Sequence, residues 1–204
     1  NHVGRGHRAV RDVQEHGPSS AYCSWLSGLR FGPRSPCGDP FVYDNWAGHW
    51  DLVKLAVRER AVQQHLFDAV DSWVERFGID GLRLDAADTL DRRFQRALAR
   101  HCSDKHPDLW LMGEVVHGDY RRWADDKRLH SVTNYELYKA LWSSHVDRNY
   151  FELGHSLQRQ AGEGGVYQDI ALYTFADNHD QPRVASRLDD PAHLYPLYLL
   201  LFAM

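Results

Sequence analysis

From residue 52 onward, apolar and polar positions fall into two periods. Residues 59–77 place Val62, Leu66, Ala69, Val70, Trp73 and Phe77 at helical spacing with charged residues between them, and Gly78 ends the run. Residues 79–85, Ile-Asp-Gly-Leu-Arg-Leu-Asp, predict a short strand. A second helix is predicted over 91–105, stopped by His106-Pro107, and a second strand over 109–115. Residues 120–126 predict a brief helical turn and 131–135 a weaker strand. Helices follow over 136–147 and 151–161, then a Gly-rich turn, a strand over 170–176, and helices over 183–188 and 192–203. Strands alternating with helices predict a parallel sheet built from right-handed crossovers.

Residues 3–50 follow neither period. Gly and Pro recur from Gly4 to Gly48, with Tyr and Trp scattered between them, and such a stretch reads as mostly loop held down by its aromatics. Irregular connections of this length are usually functional. Residues 1–51 are therefore expected to form a loop-rich rim or small subdomain, and 52–204 the α/β core.

Composition narrows the class. A chain of 204 residues with 43% hydrophobic content can bury one core without disulfide or metal support, and is too apolar for a disordered segment. The longest apolar run, 194–204, is too short to span a bilayer and contains Pro196, so no membrane partner is expected. Asp+Glu 28 against Lys+Arg 24 gives a net charge of -4, which offers no reason to expect nucleic acid. Cys23, Cys37 and Cys102 are too few and too irregular for a disulfide framework or a zinc set. The chain opens on Asn1-His2 and closes inside an apolar pattern, where domains usually end in polar segments. A piece of a larger catalytic domain is expected.

The candidate chemistry lies at the strand ends. Three predicted strands run into acids: Asp85, Glu114, and the cluster Asp177-Asn178-His179-Asp180. In parallel α/β folds the C-terminal strand ends form the site face, so these acids should converge. Arg83 and Asp85 are two apart and share a face. They read either as a structural ion pair or as a carboxylate kept ionised for nucleophilic attack. Glu114, expected in mostly apolar surroundings near another carboxylate, suits a proton donor with a raised pKa, although a surface or capping role fits equally. His179 and Asp180 suit sugar hydroxyls or a cationic transition state, with a turn closed by Asx hydrogen bonds as the alternative. Two carboxyls with separated proton affinities are the core of glycosidic bond cleavage. Tyr22, Trp25, Tyr43, Trp46 and Trp50 could supply faces for sugar rings.

These residues resemble the alpha-amylase family of glycoside hydrolases, and the likeness covers nearly the whole chain. The segment Gly78-Ile79-Asp80-Gly81-Leu82-Arg83-Leu84-Asp85 is similar to the family's stretch at the end of barrel strand four, which implies Asp85 as nucleophile with Arg83 beside it. Gly113-Glu114-Val115 resembles the strand-five stretch and implies Glu114 as general acid/base. Phe175-Ala176-Asp177-Asn178-His179-Asp180 resembles the strand-seven stretch. It implies Asp180 as the third acid and His179 as a sugar-binding partner. Asn1-His2 resembles the tail of the strand-three motif, implying sugar binding by His2 and a candidate calcium ligand in Asn1.

The implied fold is a partial TIM (β/α)8 barrel, from the end of strand three to the helix before strand eight. The implied activity is retaining cleavage of alpha-1,4-glucosidic bonds in maltodextrin-like alpha-glucan oligosaccharides. No cofactor is implied for the chemistry beyond a structural calcium. Leu52-Val53-Lys54-Leu55-Ala56 is similar to a stretch of neopullulanases and cyclomaltodextrinases, with Val for Pro and Ala for Asn. Ala86-Ala87-Asp88-Thr89 lacks the Lys-His pair many true alpha-amylases carry at the last two positions, which weakens the starch endo-amylase reading. A transglycosylase or isomerase-type member of the family is the alternative, and a non-catalytic carbohydrate-binding relative the remote one. These 204 residues alone are expected to show little activity. Oligomeric state, and a cytoplasmic as against a secreted location, stay open.

Overall fold

The computed structural model describes residues 1–125 and 127–204. They group into two compact units, Asn1–Gly78 with Leu90–Leu98, and Ile79–Thr89 with Ala99–Met204.

The first unit corrects the mostly irregular reading of residues 3–50. After strand β1 (His2–Gly4) comes a helix, α1 (Arg8–His16). Its start is set by His7, whose Nδ1 accepts from the Ala9 amide at 3.3 Å, and its inner face is Ala9, Val10 and Val13, all fully buried. The apolar stripe is only three residues long between Arg, Asp and Glu, and the glycines around it hide the period. Four short strands follow: β2 (Arg30–Phe31), β3 (Phe41–Val42), β4 (Asn45–Trp46) and β5 (His49–Lys54). β5 is central to an antiparallel sheet ordered β1-β5-β4, and β2 pairs with β3. It also runs through position 51, where its register with β4 shifts in a bulge between Val53 and His49. Helix α2 (Arg60–Phe77) follows as expected, ended by Gly78 in the left-handed conformation at φ 58°. Val10, Val13, Phe41, Val53 and Val62 form the centre of one buried cluster.

A buried carboxylate ties this irregular unit together. Asp39 Oδ1 accepts from Arg5 Nη2 at 2.6 Å and Gln14 Nε2 at 2.9 Å. Its Oδ2 accepts from the Ser35 hydroxyl at 2.9 Å and the Tyr43 hydroxyl at 3.3 Å. One side chain thus joins the turn after β1, helix α1, the loop before β3 and the residue after it.

The second unit contains β6 (Gly81–Leu84), the second half of α3 (Arg92–Lys105, whose first half belongs to the first unit), β7 (Trp110–Gly113) and β8 (Ser131–Thr133). It continues with α4 (Tyr135–Val146), α5 (Phe151–Ala161), β9 (Ala171–Tyr173), α6 (Val184–Arg187) and α7 (Leu194–Ala203). The four strands form one parallel sheet in chain order, β6-β7-β8-β9, as expected of consecutive β/α units of a (β/α)8 barrel. Tyr120–Arg122 make the short helical turn expected near 120, and Asp126, included in that expectation, lies outside the described residues. Helix α4 is buried on most sides. Leu137, Ala140 and Leu141 pack with Leu153 of α5. Among the described residues no helix is long and apolar enough to cross a membrane.

Asp39 makes the first unit's stability depend on pH. Burial alone would raise its pKa, but the hydrogen bonds from Arg5, Ser35 and Gln14 and the Arg5 charge outweigh burial, and the net shift is downward. A depressed carboxyl pKa adds stability that is complete above the unfolded value of about 3.9 and is lost as pH falls through the folded value. Asp39→Asn should therefore lower stability at pH 7 by roughly 2–3 kcal/mol, less than a fully enclosed pair because Arg5 is partly exposed. Denaturant unfolding across a pH series should also show a shallower acid dependence in the variant than in the wild type.

Candidate active site

The parallel register levels the strand ends. Leu84 pairs with Gly113, Gly113 with Val132, and Thr133 with Tyr173. Asp85 and Glu114, each one residue past its strand, therefore leave the sheet at adjoining positions. The ladder continues through them: the Glu114 amide donates to the Leu84 carbonyl, and the Ala87 amide to the Glu114 carbonyl, each at 2.9 Å.

Arg83 stands among the acids. Its Nη1 is 3.8 Å from Asp85 Oδ1, and its Nη2 is 3.3 Å from Glu114 Oε2 and 4.0 Å from Asp180 Oδ2. The expected Arg83–Asp85 pair is thus one edge of a wider cluster, and the nearest acid is Glu114. The three strand-end acids and Arg83 are brought together as expected. His179 joins them through Asp180, with Nε2 3.1 Å from Oδ2. Asp85 is 60% exposed, open to an incoming ligand, and Glu114 only 14%.

The mostly apolar surroundings expected for Glu114 are not found. Besides Arg83, the Ala86 amide donates to Oε2 at 3.0 Å, and the Tyr135 hydroxyl lies 3.5 Å from Oε1. Ala86 turns its N–H inward by adopting φ 43°, a left-handed conformation uncommon for a residue with a side chain. The Asx turn weighed for residues 177–180 is also present, and coexists with the cluster. The Asp180 amide donates to Asn178 Oδ1 at 3.0 Å, which leaves Asn178 Nδ2 to donate to Tyr135 Oη at 2.9 Å.

Tyr135 and the Ala86 amide are the contributors that sequence reasoning missed, and Asn178 was singled out only as part of its cluster. The weak strand predicted over 131–135 hid Tyr135, which is the first residue of α4. The signal was Asn134, a helix-capping residue directly after the apolar strand positions. Its Oδ1 accepts from the Leu137 amide at 3.1 Å. Buried Asn134 and Gln160 also exchange amide hydrogen bonds, at 2.8 and 3.1 Å, which lock the start of α4 to α5.

Asn1 and His2 belong to the first unit. His2 pairs with Lys54 across β1 and β5 and stacks on Trp46 at 5.5 Å between ring centres. The Asn1 carbonyl accepts from the Leu55 amide at 2.8 Å. Among the described residues no three His, Cys, Asp or Glu side chains gather as a metal site.

A parallel β/α sheet thus gathers Asp, Glu and Asp around one arginine at its C-terminal edge, the face where such folds carry their sites. Residues 1–203 match the family model described as the alpha amylase catalytic domain, and the chain belongs to that family. It is 31% identical over 193 residues to neopullulanase 2 of Thermoactinomyces vulgaris, covering 90% of this chain and 31% of that protein. It is 27% identical over 189 residues to the intracellular maltogenic amylase of Bacillus subtilis (strain 168), covering 92% of this chain and 31% of that one. Among solved structures, it is similar to the ligand-free cyclic alpha-maltosyl-(1→6)-maltose hydrolase of Arthrobacter globiformis. The TM-score is 0.84 with 25% identity, over 100% of this chain and 46% of the other. The chain thus spans about a third of the length of these curated relatives.

Gly113, the residue before Glu114, sits in a tight space. A Cβ at Gly113 would collide with the Leu129 side chain and lie 2.7 Å from the Ala87 Cβ. Gly113→Ala should destabilise the second unit by about 1–3 kcal/mol through overpacking, read as a lower denaturant midpoint with an unchanged slope.

Proposed function

We propose that the full protein is a retaining hydrolase of alpha-1,4-glucosidic bonds in maltodextrin-like glucans, and that this chain carries its catalytic acids. The observation that supports this most is the contact of one guanidinium, that of Arg83, with Asp85, Glu114 and Asp180. The names of the relatives point the same way, since they include a maltogenic amylase and a neopullulanase.

Asp85 acts as the nucleophile. Its exposed carboxylate attacks the anomeric carbon as the bond to the leaving oxygen breaks, giving a covalent glycosyl-enzyme. Glu114 delivers a proton to that oxygen, then takes one from the water that hydrolyses the intermediate. Asp180 holds the distorted sugar and balances positive charge at the anomeric carbon, and His179 beside it binds a sugar hydroxyl. His2 is assigned a sugar contact on the family resemblance. An acceptor sugar in place of water would give transglycosylation with the same two groups. Activity is expected of the longer protein. Among the described residues β6 and β9 each have a single partner strand, and the chain alone is expected to be inactive.

In the full-length protein, Asp85→Ala should lower turnover of maltooligosaccharides by roughly 10⁴-fold or more, the scale seen when a nucleophile is removed. Proton NMR of the first product should show the α-anomer. A β-anomer, or wild-type turnover by the variant, would remove Asp85 from this role.

A further inference from the structure

We propose that Tyr135 is a positioning residue for Glu114, its phenol holding in place Oε1, the carboxyl oxygen that carries the transferable proton. The inference rests on the acid/base reading of Glu114 given above.

The two oxygens of Glu114 have different surroundings. Oε2 receives the Ala86 amide at 3.0 Å and faces Arg83 Nη2 at 3.3 Å. A proton on Oε2 would point into groups that only donate, so the acid form places it on Oε1. The neighbour of Oε1 is the Tyr135 hydroxyl, at 3.5 Å. Such catalytic contacts are commonly long before substrate binds and shorten afterwards.

The direction of the Tyr135 contact is also set. Asn178 Oδ1 is taken by the Asp180 amide, so its Nδ2 is the group that meets Tyr135 Oη, and that phenol oxygen acts as acceptor. The phenol hydrogen is left to point at Oε1. Burial, together with the charges of Glu114 and Asp180, raises the phenol pKa against the opposing Asn178 hydrogen bond and the Arg83 charge, which keeps this donor intact. The ring is fixed edge-on to Phe175 at 5.0 Å and to Tyr138 at 5.9 Å, and its backbone by the Asn134–Gln160 pair. The phenol thus holds Oε1 while its proton passes to the glycosidic oxygen, the anomeric C–O bond breaks and the Asp85 carboxylate bonds to the anomeric carbon.

The test uses kcat/KM of the full-length protein, which reports the first bond-breaking step, on maltotriose and on 4-nitrophenyl α-maltoside. The nitrophenolate leaves with little help from an acid. Tyr135→Phe keeps the ring and should lose tenfold or more on maltotriose while staying within about twofold on the aryl substrate, part of the 10²–10⁴ that an acid provides. Equal losses on both substrates would mean a packing role, and no loss on either would mean no role; both overturn the proposal. If Tyr135→Phe lowers the unfolding midpoint, Asn178→Asp keeps the acceptor of the Asp180 amide, replaces the donor to the phenol by an acceptor that draws its hydrogen away from Oε1, and should show the same split. Glu114→Gln separates the two levels. A split there without one in Tyr135→Phe removes only the Tyr135 proposal. No split in Glu114→Gln removes the acid reading and the proposal with it.

Discussion

Like charges crowded at the ends of neighbouring strands repel strongly once water is partly excluded, and Arg83 is what lets Asp85, Glu114 and Asp180 share one space. An isolated carboxylate pair would either separate or hold a proton between them. With a guanidinium inside the group, Asp85 can stay open to solvent while Glu114 is nearly enclosed. The register of β6 and β7 is the other half of the constraint. It places Arg83 two residues before Asp85 and one strand away from Glu114, so the cation reaches both without distorting the sheet. A slip of one residue would turn one of the acids to the opposite face.

Most of the chain from residue 59 onward was legible because its helices are long and periodic. Helix α2 and the helices α3, α4, α5 and α7 lie within a residue or two of the bounds that apolar spacing predicts. Strands β6 to β9 were found but are shorter than expected, since the strand-end residues turn away to build the site. The first unit ahead of α2 was not legible. Its order comes from Asp39, whose partners Arg5, Gln14, Ser35 and Tyr43 are scattered over nearly forty positions, and no local period encodes such a contact.

The candidate site was legible in part for a similar reason. Asp85, Glu114 and Asp180 stand at strand ends and announce themselves by polarity after apolar runs. Their supports do not. Ala86 contributes a backbone amide through its own dihedral angle, which no side-chain pattern reveals. Tyr135 reads as one more aromatic after a strand. Its role depends on where α4 begins, and a capping interaction decides that. Reactive groups must carry particular chemistry and so leave a compositional trace, whereas the groups that aim them need only be in the right place.

The Asn134–Gln160 amide pair carries a consequence for how this sequence can drift. The two residues are 26 positions apart and each satisfies the other in a dry interior. Replacing one strands the donor and acceptor of its mate, and an apolar swap at both would still lose the cap that Asn134 gives the Leu137 amide. Selection therefore sees them as a single character. Lineages that abandon the pair must cross a poorly folded intermediate or change both codons together, and descendants on either side of that step would start α4, with Tyr135 on its first turn, at slightly different angles.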